Sequence, residues 1–381
     1  MTARKVALFL DPPSHHFLKN KLFEAGSASL AGDDLHAPYR YVREFFQERG
    51  ITVQTADLLP PKPNGTTNVY ISFGMLSNYR RLAKERPDTL LSAYFAMECP
   101  IVEPRMYKEL RDAQNYFRRI FSWSDSGSLE QFVGGPLRCQ PFHWMQSYDD
   151  VHDEIWANTD RKFLVMMNAN KLPRLYWKEL YTERMKAVEY FSRYDEIDLY
   201  GKGWEAPSIR VGRTRVPYTL KRVQYSLQKK WDKIRPHPLL VAARKAYRGV
   251  AESKSATIGA YKFALCFENS ILKGWITEKI FDCFFAGTVP IYWGEPEIEK
   301  HIPEGCYIDM RKFSGYQELR KFLHALTEDD IRKYKENARS FLRSPAFYPF
   351  SKAAFADLLA DVVRSDTGIK IDGLHSAQSA K

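Results

Sequence analysis

The strongest constraint on this chain is a repeated alternation. Short apolar runs, each long enough for one buried strand, take turns with longer stretches of helical periodicity. In the first half the runs are "KVALFL", "ITVQTAD", "NVYISFG", "TLLSAYFAME" and "FRRIFSWSD", and "PYRYVREFFQERG" reads as a helix closed by Gly50. A polar, acidic stretch, "SYDDVHDEIWANTDR" (147–161), breaks the pattern and reads as a linker. The alternation then resumes. "KFLVMMNAN" reads as a strand, "RLYWKELYTERMKAVEYFSRY" as a helix and "EIDLYG" as a strand. Farther on, "KFALCFEN", "TEKIFDCFFAG", "VPIYWG" and "CYIDM" read as strand, helix, strand and short strand, and "YQELRKFLHALTEDDIRKYKENARSFL" as two helices. Strands interleaved with helices imply mainly parallel sheets covered on both faces.

A chain of 381 residues exceeds what one core usually holds, so two domains are expected. The pattern predicts an α/β architecture of two Rossmann-like domains facing a central cleft. The first spans 1–150. The second spans 161–345 and carries a basic helical insert at about 209–254. A C-terminal helix follows over 346–365, then a tail over 366–381 that reads as disordered.

Charge is concentrated. The net charge of +11 equals the balance of one segment, Arg210 to Lys254, where thirteen Lys and Arg face Asp232 and Glu252. Within it, "YTLKRVQYSLQKKWDKI" and "PLLVAARKAYRGV" read as basic amphipathic helices, with Lys221, Arg222, Lys229 and Lys230 as candidate contacts to a membrane or an acceptor. A solvated face, an anionic lipid dock and a site for an acidic acceptor are the competing readings, and peripheral membrane attachment is the preferred one. A nucleic-acid-binding protein is a distant alternative, because the charge lies in one insert and no nucleic-acid module appears. No apolar run is long enough to span a bilayer, and "MTARKVALFLDPPSHHF" reads as a first strand instead of a signal peptide. The five cysteines are widely spaced and form no CxxC pair, which points to a reducing compartment. The expected location is the cytoplasm, peripheral at the inner face of the membrane.

Three charged residues break local rules. Thr277 is placed as the N-cap of the helix in "TEKIFDCFFAG", so Lys279 falls in its first turn, where the helix dipole disfavours a cation. Either the stem bends into water, or an anion sits at the helix N-terminus and the lysine adds to its hold. Glu278 beside it would then face a hydroxyl-bearing part of the same ligand. Arg184 lies on the apolar stripe of Leu180, Ala187, Val188 and Phe191 in a helix predicted over 174–191. A guanidinium there must meet an anion, either a buried glutamate or a diphosphate. Glu98 ends an apolar strand just before Pro100, where ligands gather in open parallel sheets. It is either a general base or an ordinary loop acid. Asn269 repeats that placement after the run Phe263 to Phe267, and Trp275 in the same loop either stacks on a ligand or packs.

Other signals are weak. "GKGWEA" matches a dinucleotide fingerprint but does not open a helix. No phosphate-loop sequence, no Asp-x-Asp and no HExxH spacing occurs, so no metal ligands are assigned.

The stretch "YKFALCFENS…GWITEKIFDCFFAGTVPIYWG", within Tyr261 to Asp309, resembles the donor-binding motif of the α1,3-fucosyltransferases, glycosyltransferase family 10, bacterial type. Upstream, "NANKLPR…R" with "DLYG", and "AMECP", resemble the family's arginine helix and its catalytic-glutamate motif. The resemblance implies a GT-B fold and an inverting transfer of fucose from GDP-fucose to a glycan hydroxyl, without divalent metal or other cofactor. It implies that Lys279 and Arg184 hold the diphosphate, that Asn269, Glu278 and Trp275 contact ribose, fucose or base, and that Glu98 is the base. It implies a lipopolysaccharide or other surface glycan as acceptor, a lipid-linked one included, with another GDP-linked deoxysugar as the alternative donor. Trp275 stands where the family's tyrosine is expected, and the loop between Asn170 and Arg184 is longer than the family's.

Overall fold

The computed structural model describes residues 5–25, 34–74, 78–204 and 234–372, together with positions 223, 226, 227, 230 and 231. Two parallel sheets organise them. In the first sheet the strands are β1 (Val6–Asp11), β2 (Thr52–Thr55), β3 (Thr67–Ser72), β4 (Thr89–Phe95), β5 (Arg119–Ser122) and β6 (Gln140–Pro141), in the order β2-β1-β3-β4-β5-β6. In the second they are β7 (Lys162–Met167), β8 (Ile197–Tyr200), β9 (Tyr261–Phe267), β10 (Val289–Trp293) and β11 (Ile308–Asp309), in the order β11-β10-β9-β7-β8. The expected strand runs are all present. The two-residue β6 went unread because it is too short to show a period.

Both faces of each sheet are covered, which explains the near-continuous apolar strands. In β9, Phe263, Leu265 and Phe267 join the core on one face, while Ala264 and Cys266 join the core on the other. The helix Glu278–Ala286 packs on that second face through Ile280, Phe281 and Phe284. It ends as predicted at Gly287, whose φ of +65° is left-handed. A Cβ there would also stand 2.7 Å from the indole of Trp156. That indole comes from the 147–161 stretch, which holds a short helix, Asp153–Trp156. Its Nε1–H donates to the Phe284 carbonyl at 3.0 Å, so the stretch is docked on the second sheet's layer.

Two expectations are corrected. The helix predicted from 174 begins at Tyr181 and runs to Ser192. The residues before it place their backbone groups elsewhere. Arg174 and Leu175 donate to the Ile101 carbonyl, Leu180 donates to the Asn269 carbonyl, and the Lys178 carbonyl accepts from Ile271. Lys178 also sits at φ +43°, outside helical space. These partners satisfy the N–H and C=O groups that a helix would otherwise pair. The second correction concerns the C terminus. The last helix spans Lys352–Thr367, so Asp366 belongs to it and not to a free tail. The Asp366 carboxylate is buried and accepts from Arg119 at 2.8 Å. The helix lies on the first sheet's layer, with Phe355, Leu359 and Val363 in the same core as Leu8, Val69 and Phe95.

Among the described residues, no helix is long and apolar enough to cross a membrane. Lys221, Arg222 and Lys229 lie outside the described residues, while Lys230 is described and exposed.

Candidate active site

The second sheet changes direction between β7 and β9. The chain first places β8 on one side of β7, then returns to place β9 on the other. Open parallel sheets bind ligands at such a switch point, beyond the strand carboxyl ends. A cavity of about 210 Å³ lies there. Asn168 and Ala169 line it from the end of β7, and Asn269 from the end of β9. Tyr181 and Arg184 come from the helix that starts at 181, Trp275 from the loop after β9, and Thr277, Glu278 and Lys279 from the helix N-terminus. The first sheet's layer supplies Met97, Glu98, Val102 and Trp144. Arg184, Asn269, Trp275, Glu278, Lys279 and Glu98, the residues singled out in the sequence, therefore share one cavity.

Arg184 is 4% exposed, with Leu180, Ala187, Val188 and Phe191 buried beside it as the stripe required. Its Nε–H and Nη2–H donate to the carbonyl of Phe267, and Nη2–H also donates to Asn269 Oδ1 at 3.1 Å. The guanidinium lies 4.8 Å from the centre of the Tyr181 ring. Among the described residues no ion pair with a carboxylate is formed at Arg184. Of the two partners weighed for it, the buried glutamate is absent. Burial lowers its pKa from the ordinary arginine value, yet the group stays a cation. The result is a desolvated positive charge, fixed by a strand-end carbonyl and facing a cavity.

Lys279 is arranged differently. Its Nζ donates to Thr277 Oγ1 at 2.8 Å and to Glu268 Oε2 at 3.2 Å. Glu268 is fully buried, and its Oε1 accepts from the Thr277 backbone N–H at 2.9 Å. The Thr277 hydroxyl donates to the same carboxylate at 2.9 Å, so it makes no cap bond within its own helix. Thr277 is the N-cap by position, but the carboxylate serving the helix end comes from β9. Burial presses the Lys279 pKa down, and the carboxylates of Glu268 and Glu278 outweigh it, so the net shift is upward. Glu278 is pressed up by burial and held below the usual carboxylate range by Lys279 and Lys254. Both residues are ionised at neutral pH.

Across the cavity, Glu98 follows β4. One oxygen accepts from the Cys99 backbone N–H at 2.9 Å, and its carbonyl accepts from the Tyr107 hydroxyl at 2.7 Å. Burial raises its pKa above the ordinary carboxylate value, against the lowering pull of the Cys99 N–H, Lys279 and Lys171. A partly desolvated carboxylate at the edge of a cavity has the character of a general base. Trp275 is 2% exposed and meets Trp123 edge-on, with ring centres 4.7 Å apart. It packs within the core of the first sheet's layer while forming part of the cavity wall. Gly274 before it makes this crossing possible. Its φ is +77°, and a Cβ there would stand 1.9 Å from the Trp123 carbonyl oxygen.

Sequence reasoning passed over Glu268, Lys171, Tyr181 and Trp144. Only Glu268 carried a usable signal, as a carboxylate ending a buried strand directly before Asn269. Among the described residues, no group of three or more His, Cys, Asp or Glu is arranged to hold a metal ion.

Residues 238–339 match the model for "Glycosyltransferase family 10 (fucosyltransferase) C-term". The alpha-(1,3)-fucosyltransferase FucT of Helicobacter pylori is 31% identical over 122 residues, covering 30% of this chain and 25% of that protein. The alpha-(1,4)-fucosyltransferase of Arabidopsis thaliana is 32% identical over 95 residues, covering 25% of this chain and 24% of that protein. The mouse 4-galactosyl-N-acetylglucosaminide 3-alpha-L-fucosyltransferase 9 is 40% identical over 76 residues, 19% of this chain and 21% of that protein. The chain thus spans about a quarter of the length of the curated relatives it matches. A crystal structure of an alpha1,3-fucosyltransferase superposes with a TM-score of 0.50 at 12% identity, over 98% of this chain and 93% of that one. That likeness extends over both sheets and shows the fold, which is GT-B. The segment that matches the family 10 model contains Asn269, Trp275, Glu278 and Lys279, so four of the cavity residues lie in the part of the chain that is similar to the C-terminal region of that family.

Proposed function

We propose that this protein is a fucosyltransferase that moves fucose from GDP-fucose to a hydroxyl of a glycan, with inversion and without a divalent metal. The observation that carries the reading is the meeting of three groups in one cavity: buried Arg184, Lys279 at a helix N-terminus, and Glu98 from the other sheet's layer. As the bond from the anomeric carbon to the β-phosphate breaks, charge develops on the departing diphosphate. Preorganised donors aimed at such charge are worth roughly 3–4 kcal/mol each. Arg184, Lys279 and the helix amide groups are fixed in advance and fit that role. Glu98 takes the proton from the acceptor hydroxyl as its oxygen attacks the opposite face of the sugar. Asn269 is already held by Arg184, and Glu278 at the cavity wall offers an acceptor for donor hydroxyls.

The test is transfer from radiolabelled GDP-fucose to galactose- and N-acetylglucosamine-ended oligosaccharides, with GDP-mannose and UDP-sugars as competing donors. Transfer should require GDP-fucose, persist in EDTA and give the α-linked product. Activity only after magnesium is restored, or with a UDP-sugar alone, overturns the reading.

The basic segment supports a second, separate proposal, that it attaches the protein to anionic lipid. Val223, Leu227, Trp231 and Ile234 are helical positions at spacings of four, four and three, and are 56%, 61%, 62% and 80% exposed. An uncovered apolar face inside the most basic stretch of the chain suits an anionic interface. Trp231→Ser combined with Ile234→Ser should abolish co-sedimentation with phosphatidylserine vesicles. Unchanged sedimentation removes the proposal.

A further inference from the structure

Trp144 takes no part in the chemistry above, yet it lines the same cavity as Glu98. Its ring is locked. It stacks on Trp123 with centres 4.6 Å apart and planes 11° from parallel. Trp123 is buried in the core of the first sheet's layer and is itself braced edge-on by Trp275. The backbone is held from both sides. Met145 is a core residue, and the buried Gln146 receives its fixed place from the Phe350 carbonyl, 2.8 Å from its N–H. Trp144 itself is only half-buried. One face of the indole is covered by a parallel ring, and the rest of the side chain borders the cavity beside Met97, Val102 and Glu98.

A rigid, half-exposed aromatic wall next to a carboxylate suits a sugar ring. A pyranose has one face of C–H groups that packs on a π-surface and an edge of hydroxyls that needs acceptors. We infer that Trp144 is the platform of the acceptor subsite, where a pyranose lies against the indole with the reacting hydroxyl directed at Glu98. This inference rests on the proposed fucosyl transfer. The assignment to acceptor over donor follows from sides. Trp144, Met97, Val102 and Glu98 belong to the first sheet's layer, whereas the cations belong to the second. Inversion requires the attacking sugar and the leaving diphosphate on opposite sides of the anomeric carbon, so the sugar that Glu98 deprotonates sits on Trp144's side.

The experiment compares full-length wild type, Trp144→Ala and Trp144→Phe. It measures the acceptor KM with N-acetyllactosamine and N-acetylglucosamine, the Kd for GDP, and the slow hydrolysis of GDP-fucose to water without acceptor. Trp144→Ala should raise the acceptor KM by roughly tenfold or more, and Trp144→Phe should recover part of it. GDP affinity and hydrolysis should stay within about twofold, since neither uses the platform. In wild type, acceptor ring protons should shift upfield on binding through the indole ring current, a readout that needs no variant. An unchanged acceptor KM, absent ring-current shifts, or a large loss of GDP affinity in Trp144→Ala each overturn the assignment, the last by showing that the ring holds the donor's base. Failure of wild type to bind GDP or hydrolyse GDP-fucose counts instead against the proposed function.

Discussion

Lys279 Nζ lies 3.2 Å from the carboxylate of Glu268, which is fully buried at the end of β9. The pairing explains how a lysine comes to occupy the first turn of a helix. The unfavourable dipole contact is offset by a carboxylate that also accepts the Thr277 N–H. Removing that carboxylate leaves a largely buried ammonium group with only the more distant Glu278, at 3.6 Å, as counter-charge. Glu268→Ala is therefore expected to destabilise the fold by about 3–5 kcal/mol. Glu268→Gln, which keeps an acceptor for Thr277, should cost less. Urea unfolding of both variants measures the difference, and equal stabilities for the two would show that the charge is immaterial.

Lys279→Met and Arg184→Met probe the diphosphate contacts. Each substitution keeps an unbranched stem and removes the charge. A loss of roughly 10²–10³-fold in kcat/KM for transfer is expected from each. GDP affinity should fall alongside, because charge on the phosphates is present before reaction as well. Initial-rate kinetics with calorimetric titration of GDP read both effects. Full activity in either variant would remove that residue from the mechanism.

Glu98→Gln should leave GDP affinity within about twofold of wild type while lowering transfer by about 10²–10⁴-fold. The pH profile offers an independent check. Burial raises the Glu98 pKa, and a base must be ionised to act. The rate should therefore climb with pH through a limb above the ordinary carboxylate range, and that limb should vanish in the variant.

Asp11 ends β1 and accepts from the Ser72 hydroxyl at 2.7 Å. Burial lifts its pKa from 3.8 to about 6. The native state thus keeps a proton that the unfolded chain has released, and stability falls as pH rises from about 4 to about 6. Asp11→Asn removes the penalty while retaining an acceptor for Ser72. It should stabilise the protein by at most about 3 kcal/mol above pH ~7, and by nothing near pH ~3. Thermal melts across pH follow this directly. A constant gap between the two proteins would mean that Asp11 does not titrate as described.

Much of this was readable in the amino-acid order. Parallel strands buried on both faces are uniformly apolar, so β1, β3, β4, β7, β9 and β10 stand out as runs. Arg184 was visible because a charge on an apolar stripe is an exception that asks for a partner, and Lys279 because a helix start has a sign. What stayed hidden depends on contacts between distant segments. Glu268 looks like any polar strand end until Thr277 and Lys279 are brought to it. Residues 174–180 have helical spacing, yet Ile101 and Asn269 capture their backbone groups. Trp275 could stack or pack on sequence grounds, and its edge-on packing against Trp123 depends on a residue 152 positions away, while it still lines the cavity. Trp144 gave no signal, because its role depends on which face a second tryptophan covers.

The final helix has a consequence for how such a molecule can be divided. Lys352–Thr367 leaves the second layer and completes the core of the first, laying Phe355 and Leu359 against strands more than two hundred residues earlier. Cutting the polypeptide between the halves would strip the amino-terminal half of one wall, exposing an apolar surface that water disfavours. The halves are thus not interchangeable cassettes. Swapping one for a relative's counterpart would have to carry the closing helix with the piece it covers, although that helix follows the whole second sheet in the sequence.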